Sequence, residues 1–339
     1  MRPMIFSLLA VASFCLASLS LQAKEPDKSK ASQQNLSAWL LPDPSFPSDN
    51  PFSEAKSELG KVLFFDPRLS PSRKISCASC HNPGLGWADG VDLSVIAGRH
   101  AMPRHTPSLI NVVYRKHLFW DGRGTSLEAA ITEHLQSVYG SQNEMIEEVA
   151  EISDYRQRFR EVFKETEHIS KETISAALAT YLRTIIQRDT PFDRWARGDR
   201  SAISKTAQRG FVLFTGKALC VSCHQPPAFS DGKFHPSRMN TIDPGRFEIT
   251  HKPDDRNAFC TPPLRQVSMT APYMHAGQKP SLASVIQFYN GNPEHQIDKP
   301  VHPSLGLNKQ EIKDLTSFLE SLAGPMPPVS IPMLPVNSK

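Results

Sequence analysis

Cys77-Ala78-Ser79-Cys80-His81 and its echo, Cys220-Val221-Ser222-Cys223-His224, constrain this chain more than any other feature. A Cys-x-x-Cys-His run suits covalent attachment of haem c. Its two thiols reach the two vinyl groups of one porphyrin, and the following imidazole turns back to ligate iron. A four-thiolate zinc site has no need of a His after each second Cys, and a thioredoxin-like redox pair belongs in a βαβ pattern that neither copy has. Two c-type haems are therefore expected, attached through Cys77 and Cys80 and through Cys220 and Cys223, with His81 and His224 as iron ligands.

The two halves repeat beyond these motifs. Gly60-x-Val62-Leu63-Phe64 leads into the first and Gly210-x-Val212-Leu213-Phe214 into the second. Thr106-Pro107-x-Leu109-x-x-Val112 matches Thr261-Pro262-x-Leu264-x-x-Val267, and Gly122 and Gly277 follow at the same interval. Ser126-Leu127 then matches Ser281-Leu282. This register predicts a mainly α protein with two cytochrome c-like haem domains in tandem, each wrapping its haem with few helices and long loops. It pairs Trp120 with His275, and His134 with Tyr289 after the helix expected to cover the open face of each haem.

Helices are predicted at Ser53–Phe65 with Ser53 as N-cap, at Ser126–Leu135, Glu144–Phe163 and Lys171–Arg188, and again at Ile203–Leu219, Ser281–Tyr289 and Asn308–Leu322. Residues 225–260 read as an irregular loop over the second haem.

Upstream, Met1-Arg2, the apolar Ile5–Leu19 run and Leu21-Gln22-Ala23 have the form of a secretory signal peptide spanning 1–23, too short and wrongly flanked for a membrane anchor. Export to the periplasm suits haem c, which is attached outside the bacterial cytoplasm. Cys15 leaves with the peptide, and the leftover Cys260 reads as a buried small hydrophobe. Expected boundaries are an extended, proline-containing arm at 24–50, a first haem domain at 51–200, a second at 201–323 and a proline-rich tail at 324–339. A net charge of +4 is too small to argue for nucleic acid, and no nucleic-acid motif is present.

LGKVLFFDPRLS, CASCH, TPSLINV, FWDGR, CVSCH, TPPLRQVSMTAPYMHAG and QFYN together resemble the bacterial dihaem cytochrome c peroxidase and MauG family, from about Asn50 to Leu322. The resemblance implies a periplasmic enzyme in which the N-terminal haem meets hydrogen peroxide and the C-terminal haem relays electrons, with Trp120 between them. It implies an electron donor as partner: a small cytochrome, a copper protein, or a protein substrate that is itself oxidised. It leaves the oligomeric state open between monomer and homodimer. It also implies a calcium ion between the domains, held by the Thr270 and Pro272 carbonyls and an Asn side chain. His105 stands at the Asn position, which weakens a site for a hard cation.

Three departures bear on the branch. Tyr289 stands where the peroxidases carry a Met ligand and MauG carries Tyr. A phenolate favours ferric and higher iron, whereas a thioether favours ferrous iron; the alternative is a packed aromatic. The peroxidases' reversible His ligand would fall near Ala97 and is absent, with His100 and His105 nearby. The family's distal Gln and Glu would fall near Ala130 and Tyr139-Gly140, and neither is there. His134 is the candidate replacement, either as an iron ligand or as the acid–base that handles peroxide protons, with Glu133 and Gln136 as weaker candidates. A surface histidine on an amphipathic helix remains the alternative. The expected function is MauG-like oxidation of a donor by peroxide. The alternatives are a cytochrome c peroxidase and a plain dihaem electron carrier.

Overall fold

The computed structural model describes residues 36–95, 102–139, 142–164, 168–237, 239, 241–291 and 305–336. The expected signal peptide, Ala97 and His100 lie outside them. Among the described residues no helix is long and apolar enough to cross a membrane.

The chain is mostly helical, and each half is built on one close helix pair. In the first, α1 (Glu54–Phe65) packs on α5 (Lys171–Leu182), with α2 (Leu127–Tyr139), α3 (Gln142–Glu151) and α4 (Ser153–Val162) around them. α6 (Pro191–Ala196) leads out of the first half. In the second, α7 (Lys205–Thr215) packs on α9 (Lys309–Ser321), with α8 (Leu282–Tyr289) against α9. Ser53 caps α1 through Lys56 N–H, and Asn308 and Glu311 form a capping box on α9.

The repeated Gly-x-Val-Leu-Phe run is what lets both pairs approach. A Cβ on Gly60 would lie 2.0 Å from the Ala177 carbonyl oxygen, and one on Gly210 would lie 2.0 Å from the Asp314 carbonyl oxygen. Backbone cannot yield as a flexible side chain does, so Gly210→Ala is expected to cost about 1–3 kcal/mol or more through overpacking. Denaturant unfolding of the holoprotein checks this. A change within about 0.5 kcal/mol, typical of a surface substitution, would contradict it.

Two expected helices are shorter than their periodicity suggested. The Glu144–Phe163 pattern breaks at Ile152, which is extended and buried. The Arg156 guanidinium satisfies the freed carbonyls of Ala150 and Glu151 at 2.7 and 2.9 Å. The Lys171–Arg188 pattern leaves the helix after Leu182. Ile185 stays buried, but its carbonyl accepts from Asn111 N–H at 2.9 Å, and Asn111 Oδ1 accepts from Gln187 N–H at 2.9 Å. The 225–260 stretch is more ordered than expected. Strands β1 (Phe234–Pro236) and β2 (Ala258–Cys260) pair antiparallel, with Phe234 opposite Cys260, around a helical turn at Phe247–Thr250.

Two cores form, and the chain crosses between them at both ends. Trp39, in the stretch read as an extended arm, is buried among Phe192, Phe211, Phe214 and Phe229, with ring centroids 4.6–6.4 Å away. Phe192 and Trp195 of α6 thus join the second core although they precede residue 201. The tail returns over the first half. Met326 and Val329 pack on its core, Gln187 donates to the Pro325 carbonyl, and Arg68 donates to that of Pro335 at 2.9 Å.

Candidate dihaem site

Each attachment motif forms a single helical turn that leaves its two cysteines half-buried and free of disulfides. His81 Nδ1 lies 3.1 Å from the Trp87 carbonyl, and His224 Nδ1 lies 2.9 Å from that of Phe229. A carbonyl can only accept, so Nδ1 carries the proton and Nε2 keeps its lone pair for iron. Burial lowers the His81 pKa to about 4 and pushes that of His224 down as well. Both imidazoles are therefore neutral, the form in which a histidine can ligate iron. Burial conversely raises the pKa of the Cys80, Cys220 and Cys223 thiols, Cys220 to about 12, so they rest protonated before attachment.

Beside the second motif a cavity of about 530 Å³ is lined by Cys223, His224, Met274, Tyr289, Trp120 and Arg115, among others. The residues fit haem c on an observation independent of the motifs. Arg115 Nε is buried with no hydrogen-bond partner, an orphaned donor at a place where a haem would bring carboxylates. Tyr289, the last residue of α8, lines this cavity and is 42% exposed.

At the first motif, α2 carries His134, half-buried, with the Phe119 ring 6.3 Å away. Burial, with help from His81 and Arg123, lowers the His134 pKa to about 4. Glu133 points elsewhere. It is exposed, and its carboxylate is held by Arg123 Nε at 2.6 Å. Gln136 is exposed too. His105 is buried, with Nδ1 2.9 Å from the Val91 carbonyl and 3.3 Å from that of Asp92.

Phe119 and Trp120 join the two sites. Phe119 lies against His134 while Trp120 lines the cavity with His224. The indole N–H donates to the His105 carbonyl at 2.8 Å, and the Trp120 carbonyl accepts from Cys260 N–H at 2.9 Å. Phe119 has φ +64°, an uncommon and strained conformation for a bulky residue, and its repeat partner Met274 has φ +73°. The neighbouring Asp121 is 2% exposed and is held by Arg104, which reaches across to Asp243 at 2.7 Å. His275 stacks on Phe259 with centroids 4.0 Å apart, and its carbonyl accepts from His105 N–H at 2.8 Å. His275 thus contacts the first half through its backbone.

Sequence reasoning missed Arg115 and the carbonyl partners Trp87 and Phe229. Arg115 lies nine residues after Thr106, where the second copy has Thr270, so the repeat carried no hint of it.

A family profile described as "Di-haem cytochrome c peroxidase" matches residues 54–201, and one described as "Cytochrome c" matches 207–323. The methylamine utilization protein MauG of Methylorubrum extorquens is 40% identical, with 90% of each chain covered. The cytochrome c551 peroxidase of Pseudomonas aeruginosa is 33% identical, covering 85% of this chain and 84% of its own. The crystal structure of a MauG-like protein associated with microbial copper homeostasis superposes with a TM-score of 0.74 at 29% identity, covering 84% of this chain and 93% of that one. The diheme peroxidase BthA from Burkholderia thailandensis shares the fold, with a TM-score of 0.69 at 20% identity, covering 85% and 92%. With two haem c attachment sites on this fold and relatives at this level of identity, the chain belongs to the dihaem cytochrome c peroxidase and MauG family of peroxidase-type oxidoreductases, which take hydrogen peroxide and an electron donor.

Proposed function

We propose that this protein is a periplasmic, MauG-like oxidoreductase that uses hydrogen peroxide to withdraw electrons, over a distance, from a protein or small-molecule donor docked outside. The observation that carries this reading is Tyr289, a phenol at the end of α8 on the same cavity as His224. When bound, the two haem c groups would supply the redox chemistry that couples reduction of peroxide to oxidation of a donor.

The chain's own residues supply the rest. Cys77, Cys80, Cys220 and Cys223 would bind the porphyrins, and His81 and His224 would present Nε2 to iron. Tyr289 offers an anionic oxygen that favours the oxidised metal, where a thioether would favour the reduced one. Trp120 is the electron relay, since its indole stands on the cavity wall next to the residue that contacts His134. His134 moves the protons. Its neutral ring takes one from hydrogen peroxide and returns it to the leaving oxygen. Glu133 is the weaker candidate for that role, because Arg123 occupies its carboxylate. Calcium has little support at the junction, where the His105 ring addresses the Val91 and Asp92 carbonyls instead of offering an amide oxygen.

The test pairs Tyr289→Met with a donor assay. In the variant the reduction potential of the second haem is expected to rise. Wild-type protein is expected to oxidise a specific partner slowly without sustained turnover of a reduced small cytochrome. Rapid steady turnover of that cytochrome by the wild type would select the cytochrome c peroxidase reading, which Met274 on the same cavity favours as a soft ligand. A potential unmoved in Tyr289→Met would remove Tyr289 from the iron.

A further inference from the structure

Arg115 is a charged side chain at the junction that its protein surroundings do not explain. Its Nη2 donates to the Ser108 carbonyl at 2.9 Å, its Nε is buried and unpartnered, and among the described residues no carboxylate forms an ion pair with it. The nearest acidic group acting on it is the Cys260 thiol, which burial keeps protonated. A guanidinium cannot be neutralised by losing its proton at ordinary pH, so burying it without an anion is costly. Something outside the polypeptide has to provide the countercharge.

Its position says what that is. Arg115 lines the cavity that holds Cys223 and His224, and the Ser108 carbonyl to which it donates is followed by Leu109, whose N–H donates at 3.3 Å to the Trp87 carbonyl that the His81 ring addresses. It therefore lies within reach of both attachment sites. The anions that the two cofactors bring to such a place are their propionates, and a guanidinium fork is matched to a carboxylate. We propose that Arg115 is the shared counter-ion for haem propionates at the junction, a positioning residue whose charge holds up the reduction potentials of the haems. This rests on the dihaem assignment above and adds a residue to it.

The experiment uses the holoprotein. A covalent haem count of two per chain in the wild type, by the pyridine haemochrome spectrum, tests the dihaem assignment separately. Spectroelectrochemical titration then compares wild type, Arg115→Gln and Arg115→Lys. Removing the positive charge is expected to move the Fe(III)/Fe(II) equilibrium of at least one haem tenfold or more towards ferric, which is about 59 mV for a one-electron couple. The Lys variant, which keeps the charge, is expected to recover most of that shift. A purely structural Arg115 would lower thermal stability and leave the potentials in place, so a shift below tenfold at both haems in Arg115→Gln overturns the proposal. Should the Gln variant fail to accumulate, the propionate bending bands in the resonance Raman spectra of wild type and Arg115→Lys decide. A displaced band supports the contact, and coincident bands overturn it.

Discussion

Replacing His134 with alanine is expected to lower kcat/KM for hydrogen peroxide by about 10²–10⁴-fold, the usual contribution of a positioned acid–base group. That range corresponds to about 2.7–5.4 kcal/mol of transition-state stabilisation. Burial keeps the imidazole neutral down to about pH 4, so at neutral pH it holds a lone pair ready to accept a proton. The nearest carboxylate along α2, Glu133, is engaged by Arg123 at 2.6 Å and cannot substitute without breaking that pair. Glu133→Gln is accordingly expected to change the rate by no more than a few-fold, well short of the acid–base range. Stopped-flow mixing of each variant with peroxide, alongside its resting EPR spectrum, makes the comparison. A faster reaction in His134→Ala together with a new high-spin signal would make His134 an iron ligand that closes the site. An unchanged rate and spectrum would leave it a helix-surface histidine.

Asp193→Ala should cost about 3–5 kcal/mol of stability. Asp193 and Arg265 pair at 2.8 and 2.9 Å with both side chains 1% exposed, so removing the carboxylate strands a buried guanidinium. The same carboxylate closes the capping box of α6, accepting from Thr190 N–H at 3.0 Å, and that loss adds about 1 kcal/mol. Arg265 also donates to the Trp39 carbonyl at 2.5 Å, so the pair ties the N-terminal segment to the second core. A fall in the thermal midpoint on the order of 10 °C is expected. The double variant Asp193→Ala/Arg265→Met should recover part of it, because the unpaired charge goes with the arginine. A double variant less stable than the single one would mean that the pair is not the source of the loss.

The repeat was the most productive part of the sequence because it survives as geometry. Asn111 and Gln266, Phe119 and Met274, and Gly122 and Gly277 all take positive φ within a few degrees to about ten degrees of their partners. The bridge between Leu118 and Gly124 has its counterpart between Tyr273 and Lys279. Such local conformations are dictated by neighbouring residues and so travel with a motif. Helix periodicity was less reliable at its ends. Ile152 and Ile185 both hold helical spacing and both are buried, yet each lies off the helix, since an apolar residue can reach a core from an extended backbone as well as from a coil of 3.6 residues.

By itself the sequence determined the covalent chemistry: four cysteines and two histidines at spacings that serve haem c, duplicated on one small helical unit, with Tyr289 and His134 at equivalent places. Those facts are local, because contiguous residues carry them. Only the tertiary structure decided which atoms face one another across the junction. It placed Phe119 against His134 and Trp120 on the cavity of the other half, turned Glu133 towards Arg123, buried Trp39 in the second core and left Arg115 without an anion. Each of these depends on contacts between segments far apart in the chain, where packing and the pairing of buried charge set the outcome and residue spacing carries no record of it.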